Sequence, residues 1–316
     1  SKRFKISPDE TLRIVQELYE KKLVTYPRTD ARVLSTAVAK EISRNLKGLT
    51  RYQMAAPFAQ EILEAGSFQG IEKTRYVNDK QITDHYAIIP TGQGMGALKG
   101  LPNLSQRVYD VIVRRFLSIF YPPAVYQKVS IVTKIKEESF FSSFKVLAEE
   151  GYLKVTGVPG RKNDNTDSSA DSTEDKDTDA AFFARIQSLK KGMTLPVQSL
   201  DIKEGKTSPP KRYNSGSLIL AMENAGQLIE DEELRAQIKG SGIGTSATRG
   251  EILKKLFNNK YLALNKKTQI VTPTMLGEMI YDVVDHSIRP LLNPELTASW
   301  EKGLTYVADG DITSDE

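Results

Sequence analysis

The chain has 316 residues, no cysteine and two histidines, His85 and His286. This excludes thiol catalysis, disulfide staples and cysteine-based zinc sites, and leaves little for a histidine-based metal centre. The net charge of +4 is unevenly spread: residues 1–120 hold 19 basic and 12 acidic side chains, whereas 161–180 hold three and seven.

The length allows two or three compact domains. No apolar run approaches the roughly 20 residues needed to span a bilayer, and the start lacks the apolar core of a signal peptide, so a soluble cytoplasmic protein without a membrane partner is expected. The basic first third is either a landing surface for a polyanion such as nucleic acid or a solvated surface kept for solubility.

Ser7-Pro8-Asp9-Glu10 predicts a helix start, with Ser7 as cap, Pro8 in the first turn and Glu10 completing a capping box. Leu12, Val15, Leu18 and Tyr19 continue it at helical spacing to about Lys22. Leu23 to Tyr26 reads as extended, and Pro27 bars helix at Tyr26, which places that residue at a chain corner. A second helix starts at Ser35 or Thr36. A longer one starts at Ser105, carries Val108, Val111, Ile112, Phe116, Ile119 and Phe120 on one face, and stops at Pro122-Pro123.

There the period changes. Val129, Ile131, Thr133 and Ile135 alternate, as do Phe144, Val146 and Ala148, which predicts a β-hairpin turning over Lys136 to Ser139. Residues 161–180 hold no large apolar side chain and read as a flexible acidic loop. More strands are expected up to about Ile202, with a second boundary at Thr207-Ser208-Pro209-Pro210. Beyond it come a helix through Leu218, Met222 and Ala225, and a glycine-rich stretch Gly240 to Thr245 leading into a helix through Leu256. A hairpin around Asn265-Lys266-Lys267 and a helix from Met275 to Val284 complete a winged-helix pattern.

A tyrosine beside an arginine suits phosphodiester cleavage: phenoxide is a competent nucleophile, and a guanidinium can hold phosphate oxygens as charge develops. Ionising a tyrosine of ordinary acidity at pH 7 costs about 4 kcal/mol, so positive charge or a base must help. Tyr26 and Arg28 fit this, although Tyr-Pro-Arg alone also describes a packed corner. His85 is either a structural histidine or a switchable charge. The glycine-rich stretch could turn backbone N–H groups toward phosphate, with Thr248 and Arg249 adding donors, or it is an ordinary helix start capped by Ser246. Lys211 and Arg212 are backbone contacts or solvated charges. Trp300 stacks on a base or fills a core.

Leu23-Val24-Thr25-Tyr26-Pro27-Arg28-Thr29-Asp30 resembles the active-site tyrosine motif of type IA DNA topoisomerases, in particular the bacterial topoisomerase III branch. Four further stretches appear in the family's order. These are Asp84-His85-Tyr86-Ala87-Ile88-Ile89-Pro90-Thr91, Pro209-Pro210-Lys211-Arg212-Tyr213, Gly242-Ile243-Gly244-Thr245-Ser246-Ala247-Thr248-Arg249, and Pro294-Glu295-Leu296-Thr297-Ala298-Ser299-Trp300-Glu301. Ala31, where serine is frequent, and Tyr86, where histidine or glutamate is common, depart from the pattern.

The resemblance implies a multidomain α+β fold: part of a toroid with a helical, winged-helix-like tyrosine domain over residues 1–122, a β-rich arch over 123–210 and a helical, winged-helix-like DNA-binding base over 211–316. It implies catalytic roles for Tyr26, Arg28 and His85, and single-stranded DNA contacts from Lys211, Arg212, Ser246, Thr248 and Arg249. The implied partners are single-stranded DNA and negatively supercoiled or catenated duplex DNA, handled by a monomer in the bacterial cytoplasm at the nucleoid.

Family members also carry a Toprim domain, which supplies a glutamate and an Asp-x-Asp pair for Mg2+. No such region is found here, and no metal ligand is assigned within the chain. The sequence reads as a fragment that binds DNA and presents Tyr26 without efficient cleavage of its own. A noncatalytic single-stranded DNA-binding protein is the alternative. A plasmid relaxase would need a histidine metal cluster that two separated histidines cannot form, and the arginine pattern of tyrosine recombinases is absent.

Overall fold

The computed structural model describes residues 3–82, 84–157, 188–197, 204–229 and 242–313, together with isolated positions between them. The acidic stretch 161–180 lies outside the described residues. The chain forms two compact units that interleave along the sequence. One comprises Ser1–Leu34, Asp79–Ile88 and Pro210–Glu316, and the other Ser35–Asn78 and Ile89–Pro209.

In the first unit, α1 (Pro8–Glu20) starts where expected: Ser7 Oγ accepts from the Glu10 N–H at 3.0 Å. The Glu10 carboxylate faces Arg13 at 4.0 Å. Ile14, Val15 and Leu18 form the buried stripe, and Leu23 and Val24 plug into the same core after the helix ends. Numbering continues across both units in chain order, so the helix Ser215–Glu223 is α7 and Arg249–Asn258 is α8. Asn214 caps α7 in a reciprocal capping box with Ser217. Leu253 of α8 is buried, and α1 packs against this helix, with Lys254 Nζ 4.0 Å from Asp9.

Strands β3 (Leu262–Leu264) and β4 (Val271–Pro273) pair antiparallel through Ala263 and Thr272. Asn265 shapes their turn by accepting from the N–H groups of Lys267 and Thr268, each at 3.0 Å. The hairpin edge also holds the chain entering α7: Val271 N–H donates to the Tyr213 carbonyl at 2.8 Å, and Asn214 bridges Ile270. Helices α9 (Met275–Ser287) and α10 (Pro294–Asp309) follow. Among the described residues of 215–287 the order helix, helix, hairpin, helix is the one the winged-helix reading expects. Trp300, on α10, is 62 % exposed, so it fills no core within the described residues.

The second unit is built from α2 (Thr36–Leu49), α3 (Ala56–Ala65), the short α4 (Met95–Leu98) and α5 (Asn103–Ser118). Its core includes Ile42, Leu46, Leu49, Ile62, Tyr109, Val113 and Leu117, all fully buried. Helix α5 begins two residues before the expected Ser105 and ends at Ser118, leaving Ile119 and Phe120 just past it. Tyr52 packs edge-on against Tyr109 at 5.4 Å and lies 3.4 Å from Asp110. Burial, then the Asp110 charge, push the Tyr52 phenol up to about 12.

Past Pro122-Pro123, β1 (Val125–Ile135) and β2 (Glu138–Glu149) form an antiparallel hairpin pairing from Val125 with Glu149 to Ile135 with Glu138. The turn is shorter than the Lys136 to Ser139 expected, and Lys136 takes a positive φ of 54°. Ser139 belongs to the ladder, opposite Lys134. The hairpin returns to α6 (Leu153–Thr156), where Arg114 Nη1 donates to the Val155 carbonyl at 2.8 Å. Lys154 Nζ reaches both oxygens of Glu61, and the Tyr121 hydroxyl donates to the same carboxylate at 2.9 Å. These two donors, Lys154 first, hold the Glu61 carboxyl below its ordinary pKa.

The strands expected up to Ile202 do not appear among the described residues. Met193, Leu195 and Val197 alternate, but Pro196 between them has no N–H to give a ladder, and no described strand pairs with the segment. Among the described residues no helix is long and apolar enough to cross a membrane.

Candidate active site

Tyr26 is positioned by the way α1 ends. Lys21 and Lys22 close the helix, Lys22 at φ 62°, and Leu23 N–H turns back to the Leu18 carbonyl at 2.9 Å. With Leu23 and Val24 buried, the chain emerges at Thr25, and buried Pro27 fixes the corner. Tyr26 is half-buried on this corner, while Arg28 is exposed beyond it.

Two rings meet the Tyr26 ring. Tyr19, from the last turn of α1, packs edge-on at 5.4 Å with an interplanar angle of 83°; His85 lies 4.4 Å away, tilted by 45°. His85 is separated from Tyr26 by more than fifty residues and is brought there by backbone anchoring. Thr29 Oγ1 donates to the His85 carbonyl at 2.7 Å, Thr25 Oγ1 donates to the Ala87 carbonyl at 3.3 Å, and the Ala87 N–H donates to the Val33 carbonyl at 2.9 Å. The threonines flanking Tyr26 therefore clamp the segment that carries His85.

The glycine-rich loop belongs to the same unit. Ile243 N–H donates to the Met222 carbonyl at 2.8 Å, tying the loop to the end of α7, and the next residue, Glu223, accepts from Arg32 at 2.7 Å. Arg32 thus connects the tyrosine segment to the helix that supports the loop. Thr248 is exposed, and its Oγ1 accepts from the Thr245 N–H at 2.8 Å; Ser246 is half-buried. Arg249, named with them as a DNA contact, is instead buried, its guanidinium bonded to the carbonyls of Ile243 and Gly244. Lys211 and Arg212 are exposed just before Tyr213, whose carbonyl pairs with the β3–β4 hairpin.

The structure thus brings Tyr26 and His85 into contact, keeps Arg28 on the same corner, and places the other five named residues in the same unit. Sequence reasoning assigned no role to Tyr19, Thr25, Thr29 or Arg32. A threonine on each side of the tyrosine was the available signal for two of them. The described residues bring no group of three or more His, Asp or Glu side chains together that could hold a metal ion.

Over residues 1–316 the sequence matches the family described as DNA topoisomerase. The chain belongs to the type IA DNA topoisomerase family. It is 34 % identical to DNA topoisomerase 3 of Bacillus subtilis over 318 residues, covering 99 % of this chain and 40 % of that protein. It is 35 % identical to DNA topoisomerase 3 of Bacillus licheniformis with the same coverage. Among solved structures it resembles full-length topoisomerase I of Thermotoga maritima with a TM-score of 0.57 and 22 % identity, over 98 % of this chain and 44 % of that one. The likeness shows that the mixed helix and sheet architecture is that of a type IA topoisomerase. The chain spans about two fifths of the length of the curated relatives it matches.

Proposed function

We propose that this chain is the strand-cleaving and strand-holding part of a type IA topoisomerase, with Tyr26 as nucleophile. The Tyr26 phenolate oxygen attacks a DNA phosphorus, a Tyr–O–P bond forms to the 5′ phosphate, and the bond to the deoxyribose 3′ oxygen breaks. That oxygen leaves with a proton as a free 3′ hydroxyl. Religation reverses these steps, and the bond energy kept in the phosphotyrosyl link makes ATP unnecessary.

The observation that carries this reading is the Tyr26–His85 ring contact at 4.4 Å on a corner that also bears exposed Arg28. Arg28 holds the phosphate oxygens as charge develops, and His85 contacts the phosphate or adjusts a neighbouring carboxylate. Thr248 and Ser246, with Lys211 and Arg212, meet the backbone of single-stranded DNA, while negatively supercoiled or catenated duplex DNA is the substrate of the whole enzyme. In this reading residues 1–122, 123–210 and 211–316 contribute to its tyrosine domain, arch and base. The proton donor for the leaving 3′ oxygen and the carboxylates for Mg2+ are supplied by a Toprim domain outside these 316 residues.

Relaxation of negatively supercoiled plasmid tests this division of labour. The chain alone binds single-stranded oligonucleotides and leaves the plasmid supercoiled, and a separately supplied Toprim domain with Mg2+ restores relaxation. Relaxation at a normal rate by the chain alone would overturn it.

A further inference from the structure

Arg249 opens α8 and yet has only 5 % of its surface exposed. Its Nε donates to the Ile243 carbonyl at 3.0 Å and its Nη2 to the Gly244 carbonyl at 2.9 Å. Two consecutive carbonyls are thereby drawn toward one planar fork. The loop can bend this far because Gly242 and Gly244 adopt φ of +63° and +68°, and a Cβ at Gly242 would stand 2.4 Å from the Met222 carbonyl oxygen. With those carbonyls held inward, exposed Thr245 and Thr248 occupy the outer side of the loop, their hydroxyls 3.1 Å apart.

Two of the five N–H donors of this guanidinium are taken by backbone carbonyls, and with 5 % of the residue exposed little of the group faces the solvent from which a phosphate would approach. Those bonds are charge-assisted, roughly twice as strong as neutral ones. We propose that Arg249 is a positioning residue: it sets the shape in which Thr245 and Thr248 meet the nucleic-acid backbone, and it makes no phosphate contact itself. The proposal rests on the reading that this loop binds single-stranded DNA.

Lysine separates the two roles, since it keeps the charge but replaces the rigid fork by a point donor. Affinity of the chain for a fluorescent oligothymidine is measured across a salt series for wild type, Arg249→Lys and Arg249→Gln. Positioning predicts that both variants lose affinity to a similar extent, about tenfold, with the dependence of log K on log salt unchanged. A phosphate contact predicts that lysine retains affinity and that glutamine lowers the salt slope by about 0.7.

A measurement on the wild-type chain stands even where a variant fails to fold. The Arg249 Nε–H exchanges slowly with solvent in the DNA-free chain if it holds the loop. Fast exchange that slows only on adding oligonucleotide overturns the proposal. If the wild-type chain fails to bind oligothymidine, the DNA reading of the loop falls, and the exchange measurement still decides what Arg249 does.

Discussion

Thr25 and Thr29 stand on either side of Tyr26, and both hydroxyls reach the segment that carries His85. The shorter bond, 2.7 Å from Thr29 to the His85 carbonyl, also sits beside a second one in which Thr29 accepts from the Ala31 N–H at 3.1 Å. Replacing Thr29 by valine removes both bonds while keeping the side chain's shape. The expected cost is about 1 kcal/mol of unfolding free energy, the net worth of one or two such bonds, read as a lower urea midpoint. The phosphotyrosyl adduct yield falls with it, because His85 loses its anchor, whereas oligonucleotide affinity is unchanged. An unchanged urea midpoint and adduct yield would show that Thr29 does not hold the site. Tyr26, Arg28 and His85 stand out in the sequence as candidates because they lie inside short motifs. Arg249 stands out in the sequence as a member of its motif but not in its geometry: no local pattern reveals that its guanidinium folds back onto the carbonyls of Gly244 and Ile243, five and six residues upstream.

At the scale of elements, the β1–β2 hairpin joins its helical unit through a narrow neck. Gly151 there adopts φ +48°, and a Cβ at that position would stand 2.4 Å from the Pro122 carbonyl oxygen and 2.5 Å from that of Pro123. The adjacent Tyr152 N–H donates to the Pro122 carbonyl at 2.9 Å, so the backbone cannot retreat without losing a bond. Gly151→Ala should destabilise by about 1–3 kcal/mol, the usual cost of a strained left-handed position. Gly100→Ala is the control, since a Cβ there meets nothing closer than 3.7 Å. A melting temperature for Gly151→Ala equal to that of Gly100→Ala would contradict the neck's tightness. The change of period after Pro122-Pro123 made the hairpin legible, since alternating apolar residues cannot line one helix face. Its two-residue turn was not, because Lys136-Glu137 lacks the Asn-Gly or Asp-Gly signal that usually marks one. Among the described residues no strand forms toward Ile202: alternation such as that of Met193, Leu195 and Val197 records which side chains favour a pleated surface, not whether a partner strand is present.

For the whole molecule, the interleaving of the two units is the feature that chain order conceals. Residues 79–88 return to the unit of α1 and so bring His85 back to Tyr26, while the residues on either side of them belong to the other unit. Proline-marked boundaries could point to a change of structure at 122 and at 209–210, but not to an excursion of ten residues in the middle of a helical stretch. Family membership accounts for the architecture, and the chain spans 40 % of its Bacillus subtilis relative. We propose that Tyr26 alone in this chain attacks the DNA. This is tested most directly by incubating the chain, a Toprim domain and Mg2+ with an oligonucleotide whose cleaved 3′ fragment is trapped on the protein, then mapping the adduct by peptide mass spectrometry. With Tyr26 as nucleophile the mapped adduct is a 5′-phosphotyrosyl peptide containing Tyr26, and none forms with Tyr26→Phe; an adduct on another residue, or one that survives Tyr26→Phe, would rule this out.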